Sequence, residues 1–484
     1  MSTLSSPGIG SGLDVNSIVS QLVAIERKPI DDLKTKATTI QTQLSSFGLL
    51  SSYTSNIHDI AAKLAQASFW TGKTASSADS TSVSVSSTST ATAGTYSVQV
   101  TQLAQAQGLA SKAYANSSAS VGTGKLHIEL GAWNTGLTSF TPDATKTAID
   151  VNIGAGEDSL DSIKTKINAA NAGVTASIVT DSSGAKLVLR SNSTGASSAV
   201  RITATDDDAN NADANGLSAL AFDPATNPGQ MSQTQAARDA QATINGLAVS
   251  STTNTLSGVV DGVTLTLSKV TTTAVDVSVS LDTASIKKAI GDFAKAYSDM
   301  NAYITAQTKY DPATKKAATL QGDRSTLTLQ SNLRNVFLGG SSASPMYGTL
   351  SSIGVQVQAD GTLKVDDAKL SAALANPTEV AKLFSNSSAD PNQQGFAVRV
   401  QAMADRLIGS SGAITTRTQS LRDSITRNTS QQQELEDRVA MTQARLMKQY
   451  TALDTQLGQI NSTSSSLTQS LTALTNLATS IAKN

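Results

Sequence analysis

The chain has 484 residues, 36 basic and 37 acidic side chains, and no cysteine. That length accommodates roughly two to four domains with apolar cores of their own, and the missing cysteines exclude a disulfide framework and any thiolate metal site. A formal net charge of -1 offers no basic excess to neutralise a run of phosphates, so nucleic acid is not an expected partner.

Only 15% of residues are charged, against roughly a quarter in an ordinary soluble domain. Ser, Thr, Ala, Asn and Gln fill the difference, as in many extracellular bacterial fibres. No apolar run reaches the roughly 18–20 residues a membrane helix requires, so membrane insertion is not expected. Met1 to Gly12 lacks the basic and apolar regions of a cleavable signal peptide. Composition leaves two readings open: a cytoplasmic protein, or one exported by a route without such a peptide.

In chain order the pattern reads helix, β, helix. Val15, Ile18, Leu22 and Ile25 recur at three- and four-residue steps, which predicts one apolar helix face. Pro29 interrupts or restarts that helix, and the pattern resumes from Leu33 through Ile40 and Phe47 to Leu64. From about residue 76 to 282, period-two alternation predicts mostly strand, as in Val83 and Val85 or Tyr96, Val98 and Val100. Asn245-Gly246 and Asp261-Gly262 predict hairpins. Within this region residues 149–205 read as a compact βαββ unit. Its helix is capped by Asp158 or Ser159 and ended by Asn171-Ala172-Gly173.

Helix returns at Ile286 and runs past Tyr297. A hairpin then turns at Asp360-Gly361, followed by a helix carrying Leu370 and Leu374 and another capped by Thr378. From Leu421 an apolar seam steps by three and four residues, through Leu435, Val439, Leu446, Tyr450, Leu453, Leu457, Ile460, Leu467, Leu471 and Leu474 to Ile481. That spacing predicts a coiled coil with one discontinuity, between Leu446 and Tyr450. Asn428, Gln432, Thr442 and Ser464 are polar seam positions that weaken self-pairing and point to a particular partner helix. The two terminal faces, Ile18 to Ile25 and Leu467 to Ile481, are expected to pack together. The predicted fold class is α+β: a helical bundle and coiled-coil leg from both chain ends, with two mainly β domains inserted.

Strings that invite an enzymatic reading fail. Gly72-Lys73-Thr74 lacks the Gly of a phosphate loop, since Ala67 stands there, and Gly8, Gly10 and Gly12 follow no strand. Ser285 and Lys288 match a Ser-x-x-Lys spacing without its companion motifs. Asp206-Asp207-Asp208-Ala209-Asn210 has calcium-like spacing, but Asn211 and Leu217 stand where Gly and Glu are needed. His58 and His127 are the only histidines, and a lone histidine of this kind is usually structural, so neither is expected to be catalytic. No catalytic residue, metal or cofactor is expected.

Ser11-Gly12-Leu13-Asp14-Val15-Asn16-Ser17-Ile18-Val19 and Leu22-Val23-Ala24-Ile25-Glu26-Arg27-Lys28-Pro29 strongly resemble the flagellar hook-associated protein 2 family, the filament caps. Residues 149–205, with Ile167-Asn168-Ala169-Ala170-Asn171-Ala172-Gly173, resemble the flagellin hook IN module. Residues 240–267 and 353–384 resemble segments of the family's C-terminal half. The resemblance implies a secreted structural protein at the distal tip of the flagellum, exported by the flagellar type III route. It would form a ring homo-oligomer, a pentamer, that holds arriving flagellin while it folds and inserts. Further implied partners are the hook–filament junction protein and an export chaperone at the C-terminal helix. Implied domains are coiled-coil leg segments 1–40 and 441–484, a helical leg domain 41–75 with 284–440, an inner β domain 76–110 with 236–283, and an outer β domain 111–235. Candidate contact residues for subunits or flagellin are Leu13, Asp14, Ile18, Leu22, Ile25, Leu457, Ile460, Leu467, Leu471, Leu474 and Ile481. The alternatives are another axial protein, such as flagellin or the junction protein, and a surface adhesin for host mucin or glycans.

Overall fold

The computed structural model describes residues 14–227 and 230–481, without the side chains of residues 480 and 481. The chain divides into two compact units, one made of both chain ends, up to Trp70 and from Ala284, the other of Thr71–Thr283. The helices are α1 (Val15–Ala65), α2 (Leu160–Ala170), α3 (Thr283–Thr308), α4 (Arg324–Leu338), α5 (Asp367–Ala373), α6 (Pro377–Ser385), α7 (Phe396–Ile408) and α8 (Ala413–Ile481).

In the terminal unit, α1 runs unbroken through Pro29, where a proline takes one backbone donor out of the helical ladder without ending the helix. Its C-terminal half buries Phe47, Leu50, Ile57 and Leu64. An aromatic cluster knits the short helices together: Phe384 of α6 stacks on Trp70 at 5.4 Å and meets Phe293 of α3 edge-on at 5.9 Å. Phe293 in turn stacks on Phe337 of α4 at 5.1 Å. The Trp70 indole donates to the carbonyl of Leu64 at 2.8 Å, so its one polar atom is satisfied in the core.

Two sequence expectations here need correction. The helix after Asn376 is not capped by Thr378. It begins at Pro377 with Asn376 as the flanking residue, because proline's fixed φ suits the first helical position. Two helices, α4 and α7, were not expected at all. The signal for α7 was present, since Phe396, Val400, Met403 and Leu407 recur at helical steps and are all buried.

The inserted unit is a set of antiparallel sheets over two cores. A five-stranded sheet runs in the order Lys73–Ser77, Val275–Leu281, Gly94–Gln102, Ala240–Ile244, Leu247–Ser251. Val98, Val100 and Val277 from it share a core with Val83, Leu265 and Leu267 of a three-stranded sheet. The expected Asn245-Gly246 hairpin is present, with Ile244 opposite Leu247 and both turn residues at positive φ (51° and 81°), the geometry that matches strand twist. Val260 pairs with Val263 around Asp261-Gly262.

The 149–205 segment is contiguous in sequence but not a self-contained sheet. Strand Ile149–Ile153 pairs with Gly124–Trp133, whereas Val174–Asp181 and Gly184–Ser191 pair with each other in a different sheet. Helix α2 joins them by burying Leu160, Ile163 and Ile167 in the shared core. Local alternation could not reveal this split, because it depends on which distant strand completes each sheet. Ser159 is the N-cap, accepting from the Ser162 N–H at 3.2 Å, and Asn171 ends the helix in the left-handed conformation. At the following hairpin Ser183 donates to Asp181, which holds that carboxyl down to about 2.

Ile167-Asn168 divides its labour. Ile167 fills the core, while the Asn168 amide pairs with the backbone of Ala176, donating to its carbonyl at 2.9 Å and accepting from its N–H at 2.7 Å. The side chain thus replaces a neighbouring strand at the edge of Val174–Asp181. Asn168→Leu is expected to destabilise the inserted unit by about 1–3 kcal/mol, read as a lower urea midpoint with unchanged slope. A midpoint within error of the parent would refute this role.

Candidate interaction surface on the terminal helices

The helices formed by the two chain ends pair antiparallel. Arg417 of α8 lies over the Phe47 ring, Asn428 donates to the Leu33 carbonyl at 3.1 Å, and Glu436 lies 4.0 Å from Lys34. Numbers rise along α8 as they fall along α1. Val15, Val19, Val23 and Ile30 share a cluster with Val439 and the half-buried Leu435, Leu446, Met447 and Tyr450. The Lys34–Glu436 pair is exposed on both sides and contributes little. Burial of the valines, each worth about 1.5–3 kcal/mol, holds the pair together.

Two of the polar seam positions have a role inside the protomer. Asn428 is buried in the pair, and Gln432 donates to its side-chain oxygen. A buried, hydrogen-bonded Asn fixes the register of two helices, because a shifted alignment would leave it without its acceptor. Thr442 is half-buried and Ser464 is exposed.

The buried face of α1 differs from the expected one. Val15, Val19 and Val23 are buried, while Ile18 is half-buried and Leu22 and Ile25 are exposed, Ile25 at 71%. At about 100° per residue the buried set spans an arc of about 80°, and Ile25, Ile18 and Leu22 occupy about 60° beside it. The apolar band is too wide for one partner helix, so α8 covers one flank and the other remains open.

The expected packing of Ile18–Ile25 against Leu467–Ile481 does not occur in the described chain. The start of α1 at Val15 falls in the cluster that ends at Tyr450, and α8 continues to Ile481. Asp14 caps α1, accepting from the Ser17 N–H at 2.9 Å. Leu13 lies outside the described residues, as does the Ile481 side chain. Of the α8 candidates Leu457 is half-buried, whereas Ile460, Leu467, Leu471 and Leu474 are exposed at 58–63%. These four sit on one side of the helix. The structure therefore gathers the candidates into two open apolar faces, one on each terminal helix. Sequence reasoning missed Val19 and Val23, although their four-residue steps from Val15 were visible.

Among the described residues no cluster of His, Cys, Asp or Glu could hold a metal, and no helix is long and apolar enough to cross a membrane.

Comparison with known proteins agrees with the layout. Residues 11–107 match the family model "Flagellar hook-associated protein 2 N-terminus" and residues 237–462 the corresponding C-terminus. Residues 137–193 match the flagellin hook IN motif. The A-type flagellar hook-associated protein 2 of Pseudomonas aeruginosa is 30% identical, over 97% of this chain and 98% of that one. The flagellar hook-associated protein 2 of Salmonella typhimurium is 30% identical over 98% and 99%. The crystal structure of the D1-D2-D3 domains of the Escherichia coli flagellar cap protein FliD superposes with a TM-score of 0.58 at 28% identity, covering 78% of this chain and 99% of that one. Matched end to end by these relatives and in fold by a cap structure, the chain belongs to the flagellar hook-associated protein 2 family, the filament caps of bacterial flagella.

Proposed function

We propose that the protein closes the distal tip of the flagellar filament as a ring, a pentamer, retaining exported flagellin and promoting its folding and insertion. It reaches the tip by the flagellar type III route, meets the hook–filament junction protein before the filament grows, and is held by an export chaperone through its C-terminal helix. No catalytic step is involved. The observation that carries this reading is the open apolar surface on the terminal helices. One protomer leaves Leu22, Ile25, Ile460, Leu467, Leu471 and Leu474 exposed, a pattern that supports contacts with other chains. Contacts in a cap must be cyclic, because a head-to-tail contact that fails to close would propagate without limit.

Two measurements test it. Mass determination over a concentration series should show a closed oligomer, and electron microscopy should show the purified protein bound at filament ends and nowhere along their sides. A strict monomer at high micromolar concentration that leaves filament ends bare would sink the reading.

A further inference from the structure

An asparagine followed by glycine is where a chain most readily attacks itself, because glycine has no side chain to shield its nitrogen or to restrict the bend toward the asparagine. The chain contains two such pairs, Asn215-Gly216 and Asn245-Gly246, and the fold treats them differently. Asn245 sits at a hairpin end, with Ile244 opposite Leu247. Its side-chain oxygen accepts from the Ser97 N–H at 2.9 Å, and its own N–H donates to the Ser97 carbonyl at 2.9 Å. The side chain can swing toward Gly246 only after leaving Ser97 and opening the hairpin. Asn215 is exposed in the loop between Asp206 and the short helix Leu217–Leu220. Its side chain donates from Nδ2 to Asp213 at 3.2 Å, an exposed bond that water replaces at little cost. The nitrogen it would meet is held still. Gly216 packs backbone to backbone on Gly122, where a Cβ would lie 2.8 Å from the Gly216 Cα, and it also rests against the buried Asp206 carboxylate. A fixed nucleophile beside a mobile electrophile favours ring closure.

We propose that Asn215 deamidates spontaneously in the folded protein, that Asn245 is protected, and that the product at 215 loosens one corner of the core in which α2 is buried. The Gly216 nitrogen bonds to the Asn215 Cγ, the Cγ–Nδ2 bond breaks, and ammonia leaves with the proton from the Gly216 N–H. Water then opens the five-membered ring. Opening at the side-chain carbonyl gives aspartate. Opening at the main-chain carbonyl gives isoaspartate, which lengthens the main chain by one atom immediately before Gly216. That glycine has no free space to move into on the Gly122 side, so the longer chain pushes it away from Gly122 and Asp206. The Ser218 N–H, which donates to the Asp206 carboxylate at 2.8 Å, moves with it. Leu217 and Leu220, both fully buried in the core shared with α2, follow.

The full chain is aged in mildly alkaline buffer, folded and in urea, and both sites are followed by tryptic peptide mapping. Cleavage after Arg201, Arg238 and Lys269 places Asn215 and Asn245 on separate peptides. In the folded protein about tenfold more deamidation is expected at 215 than at 245, because Asn245 reacts only while the hairpin end is locally open. In urea the two rates should converge. Asn215→Gln should remove the product from the 202–238 peptide, which separates position 215 from Asn210, Asn211 and Asn227. Hydrogen exchange on the isoaspartate form should show the Ser218 amide losing protection relative to fresh protein. Equal rates at the two sites in the folded protein, a faster reaction at Asn245, or no reaction at Asn215 overturns the assignment of the site. Unchanged protection at Ser218 in the isoaspartate form overturns the loosening.

Discussion

Leu471→Asp is expected to abolish filament capping while leaving the thermal melting of the purified protein unchanged. Leu471 is 58% exposed in the protomer, and exposed positions usually tolerate replacement within about ±0.5 kcal/mol. At a contact with another chain the balance reverses. The variant loses about 1.5–3 kcal/mol of leucine burial and places a carboxylate against apolar surface. A loss of about 3 kcal/mol per contact weakens binding more than 100-fold, and a cap that must hold on several legs fails. The checks are differential scanning calorimetry of the purified variant and filament length in cells that express it. Full-length filaments would show that the stripe has no part in capping.

Phe384→Ala should have the opposite signature, a large loss of stability that originates in a buried core. Phe384 is fully buried between Trp70 and Phe293, and Phe293 stacks on Phe337. Removing it opens a cavity among rigid rings that cannot collapse to fill it, at a cost of about 3–5 kcal/mol. The inserted unit has separate cores, made of Val98, Val277 and Leu265 in one case and Ile128, Ile167 and Leu187 in the other. Its unfolding should therefore stay in place while that of the terminal unit moves down. Hydrogen exchange would show the difference directly, with amides of α3 and α6 losing protection and those of Gly94–Gln102 keeping theirs. Uniform loss of protection in both units would contradict this.

Much of this architecture was legible because it is written locally. Alternation at Val98 and Val100, the Asn245-Gly246 turn and the three-four steps of the C-terminal seam each depend on neighbours a few residues away. What was misread depends on distant partners. The face of α1 that is buried is set by α8, some four hundred residues on, and an apolar band spanning both Val19 and Ile25 does not say which flank that helix will take. The split of residues 149–205 between two sheets is equally non-local. The open stripe on α8 followed from neither composition nor period. Its apolar positions were visible, but their exposure depends on α1 beginning at Val15 and running antiparallel.

The way the inserted unit begins and ends bears on the order in which the protein assembles. Its entry strand Lys73–Ser77 pairs with its exit strand Val275–Leu281, Lys73 opposite Leu281, and Asp282 donates to the Gly72 carbonyl at 3.0 Å. Once folded, the unit acts as a clip that joins the end of α1 to the start of α3. A loop of about 210 residues is shortened to one of about 10, which lowers its closure cost by about 2–3 kcal/mol. The helical ends are therefore free to wait. A chain made from its N-terminus can complete the β insert first, with α1 unpaired until α8, the last of these helices to be made, arrives to cover Val15, Val19 and Val23.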